Sequence, residues 1–529
     1  MTAGEAGTMS WQPEVDELNT RRRWAKELGG TEAVARHHGQ GRLTIRERID
    51  RLIDAGSFQE VGTLTGSATY DAAGAVAKVT PAPYVMGVAR IDGRPVAIGG
   101  EDFTIRGGTS WGSLRRKGGQ GGFVEDLAHE YRIPLVNLID GAGGSVTSAR
   151  ARGYTTFPGV HGFERSVQLM GEVPVVCAVM GTAAGGPAGR AILAHFSVMV
   201  RGTSQIFAAG PPVVERSLGE AVSKEQLGGA AVAVDTAGTI DNAADSEDAC
   251  FAMVRRFLSF LPSNVWELPP VIRNDDPIDR REEDLLAIVP KNRKRPYKMH
   301  RLIELVVDKG SLFEIQPTFG KAVITCLARL GGYPIGIVAS NPMVYGGAVD
   351  AKAARKQAHF IELCDTFHIP IVFLADVPGF LVGTKAEEAA TLREGMRAVY
   401  VSLQATVPML TVVIRKCYGM AGMGMCGKGG LDFKIAWPSG EWGSLPVEGG
   451  VAAAYRREIE NAPDPTAREQ EIEAELRLYA SPFRSAEQFA VEEIIDPRET
   501  RPYLCRFVEL AQGRLKTQLG PKFRAGVRP

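Results

Sequence analysis

The same ordered series of short motifs occurs twice in this chain, so any fold it adopts must accommodate two copies of one unit. Asp54-Ala55-Gly56-Ser57-Phe58-Gln59-Glu60 is answered by Asp308-Lys309-Gly310-Ser311-Leu312-Phe313-Glu314. Arg90-Ile91-Asp92-Gly93-Arg94-Pro95 is answered by Arg329-Leu330-Gly331-Gly332-Tyr333-Pro334. Ile133-Pro134-Leu135-Val136-Asn137-Leu138-Ile139-Asp140 is answered by Ile369-Pro370-Ile371-Val372-Phe373-Leu374-Ala375-Asp376, and Val173-Pro174 by Val407-Pro408. The separations are 254, 239, 236 and 234 residues, always in the same order. Preserved order and near-constant spacing mark an internal duplication.

Each copy reads as strand, turn, strand, helix, strand, helix, strand, Gly-rich segment and helix. Strands alternating with helical stretches predict an α/β fold built from parallel β-α units. The expected divisions are residues 15–268, a polar Pro-punctuated linker over 269–298, and residues 299–520. Thr44 with Glu47 forms a capping box ahead of an amphipathic helix beginning at Ile45. His37 and His38 are expected as polar residues of the loop before it. Residues 451–480 read as an exposed, charged helical arm broken near Pro463-Asp464-Pro465.

The last repeated element carries the chemistry. Thr411-Val412-Val413-Ile414 reads as a buried strand that runs into Gly419, Gly422, Gly424 and Gly427. In the first copy, the strand from Val175 runs into Gly181, Gly185, Gly186 and Gly189. Neither 181–189 nor 419–427 contains an acid, a histidine or a serine. Chemistry there falls to backbone N–H groups, whose task is to hold a developing oxyanion. Two such cradles suit a reaction with two developing oxyanions, such as a thioester enolate and an enolate-like leaving group. A hydratase or isomerase of similar build would need a Glu beside the cradle.

Other motifs fail on context. Gly422-x-Gly424-x-x-Gly427 is followed by a strand-like segment, not the helix a dinucleotide site requires, and Gly429 stands where a P-loop needs Ser or Thr. Gly108-Thr109-Ser110-Trp111-Gly112 matches a nucleophile elbow, but no later acid and His make a partner set for it. The basic run Lys291 to Arg295 reads as a solvated linker face. Seven scattered cysteines without Cys-x-x-Cys spacing fit neither a disulfide framework nor a zinc site, and no metal is expected. Lys plus Arg and Asp plus Glu balance at 61 each, which gives no electrostatic reason for nucleic-acid binding. No signal peptide or apolar run near 18 residues is present, so a cytoplasmic, non-membrane protein is expected.

Residues 36–60, Ser204 to Ala230, Ala287 to Tyr297, Asp376 to Gly383, Tyr418 to Lys428 and Ser481 to Pro502 together resemble the carboxyltransferase (β) subunit of biotin-dependent acyl-CoA carboxylases, the propionyl-CoA and methylcrotonoyl-CoA carboxylase family. The resemblance covers about residues 20–515 and implies two tandem crotonase-like spiral domains in a homo-hexamer. It also implies a separate subunit bearing biotin carboxylase and the biotin carrier, with acyl-CoA on the N-terminal domain of one protomer and biotin on the C-terminal domain of its neighbour. By the same resemblance, Gly185 and Gly186 would stabilise the thioester enolate and Met420 and Ala421 the ureido oxygen of biotin. Gly107, Gly108, Gly143, Gly144 and Met423 would line the substrate sites, and no side-chain base is required. Three features depart from the family pattern: Pro187-Ala188-Gly189-Arg190 after the first cradle, the loop Asp140-Gly141-Ala142-Gly143-Gly144-Ser145, and Met423 where propionyl-type enzymes carry an Asp. The Gly-Met-Cys-Gly-Lys ending is closer to the methylcrotonoyl branch and implies a more apolar acyl pocket. A decarboxylase or transcarboxylase subunit, or an inactive scaffold paralogue, are the alternative readings.

Overall fold

Asp54 and Asp308 show what the repeat encodes. Asp54 accepts from the N–H groups of Asp92 (3.0 Å) and Gly93 (2.8 Å), and Asp308 from those of Gly331 (3.0 Å) and Gly332 (2.8 Å). Ser57 and Ser311 each accept from the backbone of the matching arginine, Arg90 or Arg329, at 3.1 Å. In both copies a carboxylate and a hydroxyl satisfy the backbone of one hairpin turn, which is exposed in the first copy and mostly buried in the second. The computed structural model describes residues 10–109, 117–118, 121–144, 150, 153–155, 157, 161–426 and 433–524.

The chain divides into two compact units, Met1–Leu258 and Ser259–Pro529. In the first, the strands are β1 (Gln59–Glu60), β2 (Gly66–Tyr70), β3 (Val76–Pro81), β4 (Tyr84–Ile91), β5 (Arg94–Glu101), β6 (Leu135–Gly141), β7 (Val175–Ala184), β8 (Phe196–Val200), β9 (Gln205–Phe207) and β10 (Asn242–Ala244). In the second they are β11 (Phe313–Ile315), β12 (Val323–Leu330), β13 (Tyr333–Ser340), β14 (Ile371–Val377), β15 (Met409–Tyr418), β16 (Phe433–Ala436), β17 (Glu441–Gly443) and β18 (Glu493–Ile494). The sheet orders are β1-β4-β5-β6-β7-β8-β10 with β9 on β7, and β11-β12-β13-β14-β15-β16-β18 with β17 on β15. The two topologies are the same. Each opens with antiparallel pairs and continues parallel from β5 or β13 onward.

Every residue of β6 and β14 is buried, as expected for parallel strands covered on both faces. Both strands carry a register irregularity at the same place, between Ile139 and Gly141 and between Ala375 and Val377. Such bulges bend a strand and re-aim the residues beyond them. The buried carboxylate in each irregular segment is held by an arginine: Asp140 by Arg48 (3.0 Å) and Asp376 by Arg415 (3.0 Å). Thr44 and Glu47 form the expected capping box, and the helix Ile45–Leu52 buries Ile45, Arg48, Ile49 and Leu52.

A second duplicated device lies beneath the hairpins. Arg46 pairs with Glu60 at 2.8 Å and Lys117 approaches the same carboxylate at 4.0 Å. In the other unit His300 pairs with Glu314 at 3.1 Å, beside Lys356. Burial pushes both Lys117 and Lys356 down to about 8, opposed by the pull of Glu60 or Glu314.

The two histidines expected in a loop instead end a helix, Thr31–His38. His37 is buried there, and its Nε2 donates to the Leu43 carbonyl at 3.1 Å. The break in the charged arm is as expected: helices Val447–Ala454 and Arg456–Glu460 precede a third, Pro465–Tyr479.

Candidate active site

The parallel strands β5, β6 and β7 are in register from Ala97, Leu135 and Val175 and end on one side of their sheet. Four of the candidate glycines meet there. Gly107 and Gly108 form a tight turn with φ of 64° and 67°. A Cβ on Gly108 would lie 2.6 Å from the Asp140 carbonyl oxygen, and Ala142 N–H donates to the Gly107 carbonyl at 3.0 Å. Gly143 has φ 80°, and a Cβ there would lie 2.6 Å from the Ala184 carbonyl oxygen. Gly185 has φ 60°, and a Cβ on it would lie 3.8 Å from the Gly143 Cα. These are left-handed conformations in backbone-to-backbone packing, which only glycine tolerates. Gly144 is different: it is exposed, and a Cβ on it meets nothing within 4 Å.

Gly186 opens the short helix Gly186–Ile192. The first N–H groups of a helix have no acceptor within it. Gly186 supplies one such donor, but Pro187 supplies none. The helix is pinned from below by Arg190, buried and paired with the equally buried Glu101 at the end of β5. The Arg190 guanidinium also sits over the Tyr84 ring at 5.8 Å. This pair was not foreseen. Its two members lie 89 residues apart and no local pattern links them.

The second unit repeats the arrangement at the ends of β13, β14 and β15. Gly346 and Gly347 take φ of 62° and 89°, and a Cβ on Gly347 would lie 2.2 Å from the Asp376 carbonyl oxygen. These glycines too were missed, although they follow Gly107 and Gly108 by the 239 residues already visible in the repeat. Gly419, with φ 58°, matches Gly185 and begins the helix Gly419–Met423. Met420 and Ala421 stand in its first turn with N–H groups that no carbonyl of that helix can accept. Their side chains diverge: Met420 is exposed and Ala421 buried.

Below the turn, Gln357 donates to the Gly424 carbonyl at 2.6 Å and Thr411 to the Met425 carbonyl at 3.0 Å. Beside it lies a cavity of about 440 Å³ lined by Gly419, Gly422, Met423, Cys417, Cys426 and Trp442, with Val399, Leu403, Val413 and Val491. The wall is mostly apolar, with backbone amides along one edge, a common design for small-molecule sites. The strand expected after the glycines is β16. Gly427 and the P-loop-like residues after it lie outside the described residues, as do Ser110 to Gly112 of the elbow-like motif and Ser145.

Two tandem crotonase-like domains, each ending in a backbone cradle, define the class of protein. Residues 36–525 match the family model of the carboxyl transferase domain, and the chain belongs to that family. It is 36% identical over 512 residues to the propionyl-CoA carboxylase carboxyltransferase subunit of Haloferax mediterranei, covering 96% of this chain and 98% of that one. It is 34% identical over 494 residues to the methylmalonyl-CoA decarboxylase subunit alpha of Veillonella parvula, covering 93% and 94%. Among solved structures it is similar to the transcarboxylase 12S hexamer crystallised with methylmalonyl-coenzyme A, with a TM-score of 0.86, 32% identity and 98% of each chain covered. Among the described residues, no helix is long and apolar enough to cross a membrane, and no group of three or more His, Cys, Asp or Glu could hold a metal ion.

Proposed function

We propose that the chain is the carboxyltransferase component of a biotin-dependent acyl-CoA carboxylase, moving a carboxylate onto the α (or vinylogous) carbon of an acyl-CoA. The observation that carries this reading is the duplicated cradle: two sets of backbone donors, each at the end of a buried parallel strand, with no acid, His or Ser in either Gly-rich segment. Gly185 and Gly186 are assigned to the thioester oxygen, and Met420 and Ala421 to the ureido oxygen of biotin. Each donor of this kind is worth about 3 kcal/mol toward a developing oxyanion. The cavity of about 440 Å³ beside Gly419 suits a small ring on an aliphatic tether. Biotin, when bound there, supplies the activated carboxylate; the chain's residues hold charge and exclude water. Biotin is assigned to a separate carrier subunit associated with a biotin carboxylase, and the chain to a homo-hexameric core in the cytoplasm. Exposed Met423, standing where propionyl-type enzymes carry an Asp, supports an acyl group of apolar character.

A second reading, in which the step runs in reverse in a decarboxylase or transcarboxylase, is favoured by one observation. The decarboxylase subunit alpha is almost as similar to this chain as the carboxylase subunit is. The partner subunits that copurify with the chain distinguish the two. The test of the shared chemistry needs no partner: incubate the purified chain with malonyl-, methylmalonyl- and longer or branched carboxyacyl-CoAs, with and without free biotin. Biotin-dependent decarboxylation is expected, with rates ranking the acyl groups. Binding of the CoA esters without turnover on any of them would instead make the chain a scaffold paralogue.

A further inference from the structure

Five of the seven cysteines are buried, but Cys417 and Cys426 are half-buried and both line the cavity beside Gly419. Their thiols share one acceptor, the Gly422 carbonyl, at 3.8 Å from Cys417 Sγ and 3.1 Å from Cys426 Sγ. The pair thus clasps the turn that carries Met420 and Ala421. There is no slack in the clasp. A Cβ on Gly422 would lie 3.1 Å from Cys417 Sγ, so the turn rests directly on that sulfur. The Cys426 backbone is held in turn by its N–H bond to Met423 (3.2 Å) and by the anchored Met425 before it.

We propose that Cys417 and Cys426 form a thiol pair that hydrogen peroxide converts to a disulfide, and that the bond distorts the Met420–Ala421 cradle. The chemistry balances without any further reactant. The Cys426 thiolate attacks one peroxide oxygen: an S–O bond forms, the O–O bond breaks, and the departing hydroxide takes a proton to become water. The Cys417 sulfur then attacks the Cys426 sulfenic acid: an S–S bond forms, the S–O bond breaks, and the second hydroxide leaves as water with the Cys417 proton. Two thiols are oxidised by two electrons and peroxide is reduced to two waters. The roles of the two sulfurs can exchange, and the same disulfide and two waters result. The neighbouring Cys426 thiol, burial and the charge Cys426 would carry all raise the Cys417 pKa, while Lys434 opposes them. Drawing the sulfurs to a bond of about 2.05 Å removes both S–H donors from the Gly422 carbonyl. The five buried thiols, Cys177, Cys250, Cys326, Cys364 and Cys505, are all raised by burial, and none of them lines the cavity beside Gly419.

The activity arm of the test rests on the proposed carboxyltransferase reading; the mass arm does not. The intact chain is treated with hydrogen peroxide at pH 8, then split between peptide mass mapping and biotin-dependent decarboxylation, each sample compared with its own untreated control. The expected result is a loss of about 2 Da confined to a linkage between Cys417 and Cys426, with activity falling roughly tenfold and returning with dithiothreitol. Cys417→Ser and Cys426→Ser, each checked for an unchanged far-UV spectrum, should show neither the linkage nor the reversible loss. Cys426 recovered as free thiol or as sulfonic acid, with no linkage, overturns the pair. A linkage that forms without loss of activity overturns the coupling to the cradle. No decarboxylation in untreated protein would fault the functional reading, and the mass result would still decide the pair.

Discussion

The Glu101–Arg190 pair offers a quantitative test of what holds the first cradle. Both side chains are buried, Arg190 to 1% and Glu101 to 5% exposure, and Arg190 lies in the helix that opens at Gly186. Glu101 also accepts from the Asp140 N–H at 3.4 Å, so it ties that helix to the irregular segment of β6. Arg190→Met removes the cation and leaves a carboxylate among apolar atoms. Breaking a buried pair this way costs about 3–5 kcal/mol. For a unit of this size, 1 kcal/mol shifts Tm by about 2–4 °C, so a fall of roughly 6–20 °C is expected. Glu101→Gln should fall comparably, because it leaves the guanidinium without a counter-charge. The double variant Glu101→Gln/Arg190→Met removes both charges and should recover at least about 2 kcal/mol of the summed loss. Calorimetric unfolding of the four proteins measures the cycle. The kcat for decarboxylation should fall in both single variants, because Gly186, the proposed donor, is carried on the displaced helix. Single variants within about 2 °C of the parent, or a double variant equal to the sum of the singles, would refute the claim that the pair is a buried, coupled pin.

Three further outcomes are expected from the same geometry. Gly108→Ala and Gly347→Ala each force a Cβ to within 2.6 Å or 2.2 Å of a carbonyl oxygen at positive φ; the first should raise KM for the CoA ester and the second KM for free biotin, and steady-state kinetics separates them. Pro187→Ala adds an N–H at the position that matches Ala421. If Gly185 and Gly186 are the donors, kcat stays within about threefold, whereas a rise approaching the roughly hundredfold worth of a new donor would move the assignment one residue along. Lys117 and Lys356 ionise near pH 8 in the fold against an ordinary 10.5, so the unfolded chain holds more protons between those values. Stability therefore rises with pH across about 8 to 10.5 and is lost as pH falls toward 8, and Lys117→Met/Lys356→Met should flatten that rise in Tm measured against pH.

The repeat was legible because its most conspicuous residues solve a local problem. Asp54 with Ser57 and Asp308 with Ser311 each serve one hairpin turn, so the chemistry must sit at the same distance along both copies. The cradles were legible for a similar reason, since backbone at positive φ in close packing demands glycine wherever it occurs. Gly144 shows the limit of that inference, because its surroundings would admit a side chain. The contacts that span the sheet could not be read. Arg190 reaches Glu101 across 89 residues and His37 is buried by the turn of chain leading to Leu43. Sequence alone gives each of these polar side chains a solvated alternative.

The differences between the two units separate what the scaffold requires from what each site requires. The N–H of the aspartate on the irregular strand is satisfied in both, by Glu101 for Asp140 and by the Ser340 hydroxyl for Asp376 (3.0 Å). A charged acceptor in the first unit therefore does the work of a neutral one in the second. The charge brings a need for Arg190, whose counterpart in the repeat is Gly424, tied down instead through its carbonyl by Gln357. The first cradle is thus fixed by an ion pair under a proline-containing helix with one fewer N–H. The second is fixed by neutral hydrogen bonds under a helix that keeps its donors and opens onto a cavity. At Pro187-Ala188-Gly189-Arg190 the first unit thus replaces one support by another: Pro187 removes an N–H from the first turn of the helix and Arg190 carries the anchor.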